Sequence, residues 1–209
     1  SGASGAIYGV RLLEALREAG IESHLVMTKS AEMTLAYETE LRATDVRKLA
    51  DTVYPVADVG AAIASGSFPT MGMIVAPCSI RSMSEIATGV TSNLLTRAAD
   101  VTLKERRRLV LMVRETPLHT GHLRSMLALS EMGAVIAPPV PAFYARPEKV
   151  DDIVAHSVGR VLDLFDIGNH LVRRWGESVP PAKPRRRSLS EKPAPQKGRK
   201  KIRARNPKR

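Results

Sequence analysis

One cysteine, Cys78, stands in 209 residues, which excludes an internal disulfide and makes a reducing cytoplasm the expected setting. No run of eighteen apolar residues occurs, so no segment reads as a membrane-spanning helix. Aromatic residues make up 4% of the chain, and none falls in 177–209, where the basic residues concentrate. That stretch therefore lacks the stacking platforms a single-stranded nucleic-acid binder uses. The net charge of +11 looks like a nucleic-acid signature until it is located. Residues 177–209 carry 13 Lys or Arg against Glu177 and Glu191, and residues 1–176 are balanced at 19 against 19. A Pro/Lys/Arg-rich segment of this kind buries too little apolar surface to offset its ordering entropy. The expectation is a domain over 1–176 and a disordered tail over 177–209. The tail reads as a solubilising extension, with phosphate contact to nucleic acid as the functional alternative.

What is present in 1–176 is an alternation. Short apolar runs at 21–27, 72–77, 108–113 and 134–138 read as strands. Between them lie helical patterns at 5–19, 29–38, 58–65, 82–104, 119–132 and 150–166. In the first, Ile7, Val10, Leu13 and Leu16 share one face and Gly20 supplies the left-handed stop. Strands that are apolar almost throughout, separated by helices, indicate a parallel sheet covered on both faces. The fold class expected is α/β: a doubly wound, Rossmann- or flavodoxin-like three-layer sandwich. The chain opens directly on a glycine-rich turn, so a leading strand before residue 1 is expected to be missing. On such folds ligands collect at the carboxyl ends of the strands.

The chemistry-bearing stretches fall at those ends. "SGASGAIYG" sets Gly2, Gly5 and Gly9 before the first helix, where a close backbone approach and free amides favour a phosphate. Ser4 adds a hydroxyl. Thr28 can cap the second helix, and Glu38 sits near its far end, where the helix dipole disfavours a carboxylate. "PCSIRS" offers hydroxyls and amides at Ser79, Ile80 and Ser82 with the cation of Arg81, a second anion nest. Cys78 reads as a small buried hydrophobe, not a nucleophile. Arg97 and Lys104 lie two helical turns apart on one face. "VLMVRETPLHTGHL" ends a buried strand on Arg114 and Glu115, an adjacent cation and carboxylate. His119 and His122 share a helix face without a third metal ligand at suitable spacing, so no metal is expected. "PPVPAFYARP" presents Tyr144 on a proline-stiffened loop, and Arg160 follows in the last helix. Several anion-binding groups, two carboxylates and few nucleophiles suit holding phosphorylated molecules against one another.

"SGASGAIYGVRLLEAL", "APCSIRSMSEIATG", "NLLTRAADVTLKERRRLVLMVRETPLHTGHL" and "GAVIAPPVPAFYARP" closely resemble the UbiX-type flavin prenyltransferases, a branch of the flavin-binding cysteine decarboxylase superfamily. The resemblance implies a metal-independent enzyme that transfers the dimethylallyl group of dimethylallyl monophosphate to N5 and C6 of reduced FMN. It implies prenylated FMN as product, UbiD-type decarboxylases as its recipients, and a dodecameric assembly. By resemblance, Gly2, Ala3, Ser4, Thr28, Ser79, Ile80, Arg81, Ser82 and Arg114 contact the flavin. Tyr144, Arg160, Arg97 and Lys104 contact the substrate phosphate, the last two across a subunit boundary. Glu38 and Glu115 match the acid/base carboxylates, and Ser4 a hydroxyl near N5. The alternatives are an oxidative cysteine decarboxylase of the same superfamily, a flavin- or nucleic-acid-binding module driven by the tail, and direct decarboxylation of phenolic acids. The first relies on a histidine near the first helix, and "GAIYGVRLLEALREAG" has none.

Overall fold

The strand Arg108–Val113 shows how the layers arise. Side chains alternate sides along a strand, and here both sides are apolar. Leu109, Leu111 and Val113 pack with Met83, Ile86 and Leu129, while Val110 and Met112 pack with Leu12, Val158 and Leu162. A strand apolar on both faces is stable only between two helix layers, and that is what the computed structural model, which describes residues 1–176, contains.

The elements run α1 (Ala6–Glu18), β1 (His24–Val26), α2 (Lys29–Glu38), α3 (Ala43–Arg47), β2 (Thr52–Tyr54), a 3-10 turn at Ala62–Ala64, β3 (Gly72–Cys78), α4 (Ile80–Ala87), α5 (Leu94–Lys104), β4 (Arg108–Val113), α6 (Thr120–Glu131), β5 (Val135–Ile136), a 3-10 turn at Phe143–Ala145 and α7 (Val150–Asp163). α1 and α7 cover one face of β3 and β4; α4, α5 and α6 cover the other. All ladders are parallel: β1 with β2, and β3 with β4 with β5. The expected α/β sandwich is what forms. Among the described residues no helix is long and apolar enough to cross a membrane. The predicted tail, 177–209, lies outside the described residues.

Three expectations differ. The pattern over 82–104 is two helices: Gly89 turns the chain at a φ of +71°, and Asn93 starts α5 by accepting the Thr96 amide at 3.2 Å. The pattern over 58–65 yields only the 3-10 turn, because Gly60 and Gly66 bracket too few residues to nucleate a longer helix. β2 is a strand the apolar runs did not reveal, three residues long and partly exposed.

The parallel strands form two ladders, not one. β1 pairs with β2 and β3 with β4, which leaves one edge of each facing an apolar cavity of about 500 Å³. Side chains of α1, β1, β3 and α5 line it. At its end, the Ser1 hydroxyl donates to the Pro77 carbonyl at 2.8 Å and accepts the Ser79 amide at 2.8 Å.

Candidate functional site

The carboxyl ends of β1, β3 and β4 lead directly into the starts of α2 and α4 and into the segment before α6. The sequence places oxygen atoms at each start because a helix leaves its first amides unpaired. Thr28 accepts the Ala31 amide at 3.1 Å, which leaves its own hydroxyl hydrogen free to donate. Ser79 accepts the Ser82 amide at 3.3 Å and donates to the Ser82 hydroxyl at 3.2 Å. The amides of Ile80 and Arg81 belong to the first turn of α4, where a helix leaves N–H groups without an intrahelical partner. Arg81 itself turns away: it is exposed and pairs with Glu85 at 2.9 Å, so the cation expected in the nest is engaged outside it.

The glycine-rich turn before α1 serves a different partner from the expected phosphate. Gly5 caps α1 in the left-handed region, φ 100°, and its amide and that of Ala6 both donate to Glu38, each at 2.8 Å to Oε2. Gly2 lies so close to α2 that a Cβ there would stand 2.4 Å from that of Ser30. This contact brings the last residue of α2 onto the first turn of α1. Slight burial pushes the Glu38 pKa up, but the Ser4 hydroxyl, the two amides and the charge of Arg114 outweigh it and hold the carboxyl below its usual range. The carboxylate is ionised, and it occupies the anion site that the glycines build.

Arg114 links this cluster to α7. It acts electrostatically on Glu38 and on Tyr8, whose hydroxyl also bonds the side chain of Ser157. Burial raises the Tyr8 pKa above the ordinary phenol value, with Arg114 and Ser157 opposing. Beside Ser157, His156 meets the Tyr144 hydroxyl at 3.1 Å from Nε2. Arg160 follows one turn later, bound to Asp163 at 2.7 Å. Two chains of contact thus reach α7: Ser4, Glu38, Arg114 and Tyr8 lead to Ser157, and Tyr144 leads to His156, which feels the charge of Arg160. Sequence reasoning missed Tyr8, Ser157 and His156. The readable signal was position: His156 lies four residues before Arg160, on the same helix face.

Other candidates stand apart. Glu115 is exposed, and its carboxylate accepts the Thr116 amide at 3.0 Å. Arg97 pairs with Asp100 at 2.8 Å and Lys104 with Glu105. Lys104 precedes the first residue of β4 by four positions and Arg114 follows its last, so the six-residue strand, about 20 Å long, separates them. One chain does not gather Lys104 with the rim. Cys78 is fully buried, and burial pushes its thiol up to about 12, which suits packing and not attack. The His119 and His122 rings stack at 3.6 Å, His119 capping α6 through the Gly121 amide at 3.0 Å. Among the described residues no group of three His, Cys, Asp or Glu could hold a metal.

An open parallel sheet with hydroxyl and amide donors along its carboxyl rim defines a nucleotide-phosphate-binding α/β protein. The donor set fits a flavin phosphate: neutral hydroxyls and helix-start amides, with the nearby carboxylate already satisfied. The flavoprotein family model matches residues 1–162. A flavin prenyltransferase UbiX of Thauera aromatica is 59% identical over 175 residues, 84% of this chain and 90% of that one. The crystal structure of AnUbiX in complex with FMN and dimethylallyl pyrophosphate superimposes with a TM-score of 0.84 at 50% identity, over 85% of this chain and 95% of that one. A dodecameric FMN-dependent UbiX-like decarboxylase from Escherichia coli O157:H7 gives 0.82 at 55% identity, over 84% and 95%. The chain belongs to the flavoprotein family and, within it, to the UbiX flavin prenyltransferases.

Proposed function

We propose that the protein transfers the dimethylallyl group of dimethylallyl monophosphate to N5 and C6 of reduced FMN, releases phosphate, and supplies the prenylated flavin to UbiD-type decarboxylases of ubiquinone synthesis or aromatic-acid decarboxylation. The observation that supports this reading is the pair of contact chains that end on α7, one from Ser4, Glu38 and Arg114 through Tyr8 to Ser157, the other from Tyr144 to His156 beside Arg160. Bound reduced FMN would supply the nucleophilic nitrogen and carbon. Gly2, Ala3, Ser4, Thr28, Ser79, Ile80, Ser82 and Arg114 would hold it, together with Arg81 through its backbone amide, the neutral donors toward its phosphate.

The leaving group is a phosphate, and charge develops on it as the allylic bond breaks. Donors aimed there lower the barrier. Arg160 offers two parallel N–H bonds to a phosphate, and Tyr144 offers a further donor that grips the phosphate as firmly before the bond breaks as after, and so acts on binding. Glu115 is the proton donor to the departing phosphate. That role requires a carboxyl that keeps its proton near neutral pH, hence burial. Exposed in one chain, Glu115 would gain that burial from bound substrate or a neighbouring copy. Glu38 is already ionised, suited to accept the proton released as the new ring closes, and Ser4 orients it. Its hydrogen bonds also make it a weak base, so it acts late, when the flavin proton is most acidic.

Homo-oligomeric, dodecameric assembly belongs to the same proposal. Met33 and Tyr37 on α2, and Leu123 and Leu127 on α6, are i,i+4 pairs exposed by 52% to 88%. Adjacent exposed apolar side chains of this kind favour contact between copies, and such contact is the route by which Arg97 and Lys104 would reach a neighbour's phosphate. A cytoplasmic location is part of it too. So is a leading strand ahead of Ser1: two facing unpaired edges across an apolar slot are satisfied by one parallel strand.

The test is incubation of the intact protein with reduced FMN and dimethylallyl monophosphate or pyrophosphate in separate arms. A flavin product carrying one added dimethylallyl unit is expected with the monophosphate. Unchanged flavin in both arms overturns the reading.

A further inference from the structure

Tyr144 sits on the loop between β5 and α7 and is 39% exposed. An exposed ring on a loop samples several rotamers, so a fixed contact for its hydroxyl matters. That contact is His156, whose Nε2 lies 3.1 Å from the hydroxyl oxygen, with the two rings edge to face at 83° and 5.6 Å between centroids. His156 is itself 8% exposed, anchored in α7 beside Ser157 and Val158. A buried ring on a helix is a rigid mount; a solvent-facing loop is not. The same helix face carries Arg160 one turn on, so mount and phosphate-binding cation belong to one element.

We propose that His156 is a positioning residue that holds Tyr144 as a hydrogen-bond donor toward the phosphate of the prenyl substrate. This rests on the prenyl-transfer reading above and names a part of it that neither carboxylate supplies. The chemistry is one of proton ownership. Phosphate oxygens accept hydrogen bonds and, when ionised, donate none, so Tyr144 contributes only if its own hydrogen is free. With the proton on Nε2, His156 donates to the Tyr144 oxygen and leaves the hydroxyl hydrogen to the phosphate. With the proton on Nδ1, the tyrosine would spend its hydrogen on the imidazole. Burial and the nearby charge of Arg160 lower the His156 pKa, Asp163 opposing, so the ring is neutral and the choice of tautomer decides. A bound phosphate favours the Nε2–H form, because that form leaves the hydroxyl hydrogen for the phosphate.

The experiment uses the full chain with reduced FMN and dimethylallyl monophosphate. H156L removes the donor; H156Q restores an amide N–H at similar reach. H156L is expected to raise KM for the prenyl substrate about tenfold, the size of one lost neutral hydrogen bond, with kcat and FMN affinity changed less than about threefold. H156Q should return KM to within about threefold of the unsubstituted protein. In a Y144F background, H156L should add nothing, since the hydroxyl it positions is gone. An unchanged KM in H156L, a Gln variant as impaired as the Leu variant, or additive effects with Y144F would each overturn the proposal. No prenylation by the unsubstituted protein would overturn the underlying reading as well, and so tells the two failures apart.

Discussion

Glu38 accepts hydrogen bonds from the amides of Gly5 and Ala6 and from the Ser4 hydroxyl, whereas Glu115 accepts the amide of its neighbour Thr116 and faces solvent. Glu38 lies against the start of α1 and Glu115 just past the end of β4, and both are the same residue type. The difference lies in what the chain supplies. Around Glu38 the fold provides a finished anion site, with the charge stabilised before any ligand arrives. Around Glu115 it provides position alone. A group that must be ionised can be prepared within one chain, because backbone amides are always at hand. A group that must stay protonated needs a low-dielectric cover, and that has to be brought by something else.

The largest expected effect tests Glu115, the carboxylate without a built anion site. Glu115→Gln should lower prenylation by on the order of 10²-fold or more while FMN stays bound, read by single-turnover formation of product and by flavin fluorescence. Near-normal turnover removes the acid role. Glu38→Gln should cost less, about tenfold, because its hydrogen bonds already make it a weak base; a larger loss than in Glu115→Gln would invert the contrast.

The same substitution carries a pH signature. The folded-state pKa of Glu38 lies below its ordinary value, so its stabilisation is fully present above the ordinary carboxyl pKa and is lost as pH falls through the folded value. Glu38→Gln should therefore lower Tm by roughly 2–4 °C at pH 7, a gap that closes toward acid pH. A gap that widens toward acid would mean that the carboxylate is not the stabilised form.

The smallest effect separates site from scaffold. Appending seven alternating Val and Ile residues ahead of Ser1 should raise Tm by several degrees, whereas a Gly/Ser extension of equal length should not. The ratio of the two Gln variants' activities should stay the same in either background. Equal Tm for both extensions would refute a strand in the slot.

Much of the scaffold was legible locally. The two-faced apolarity of 108–113, the stop at Gly20 and the cap at Thr28 are properties of a few neighbouring residues, and each forms as its pattern predicts. The break inside 82–104 was legible too, in Gly89 and Asn93, but a helical apolar period running across both masked it. β2 was not legible, since three residues carry no period. At the site, residue types pointed to anion and proton chemistry, and the resemblance named the positions.

Sequence alone determined which groups line the strand ends, because local hydrogen-bonding needs put oxygen and glycine at helix starts. Tertiary structure decided how they are used. The approach of α2 to α1 gave the glycine-built anion site to Glu38, and the packing of α7 against the Tyr144 loop recruited Tyr8, Ser157 and His156. Such choices depend on contacts between residues from 12 to 149 positions apart in the chain, whose energies no local pattern encodes.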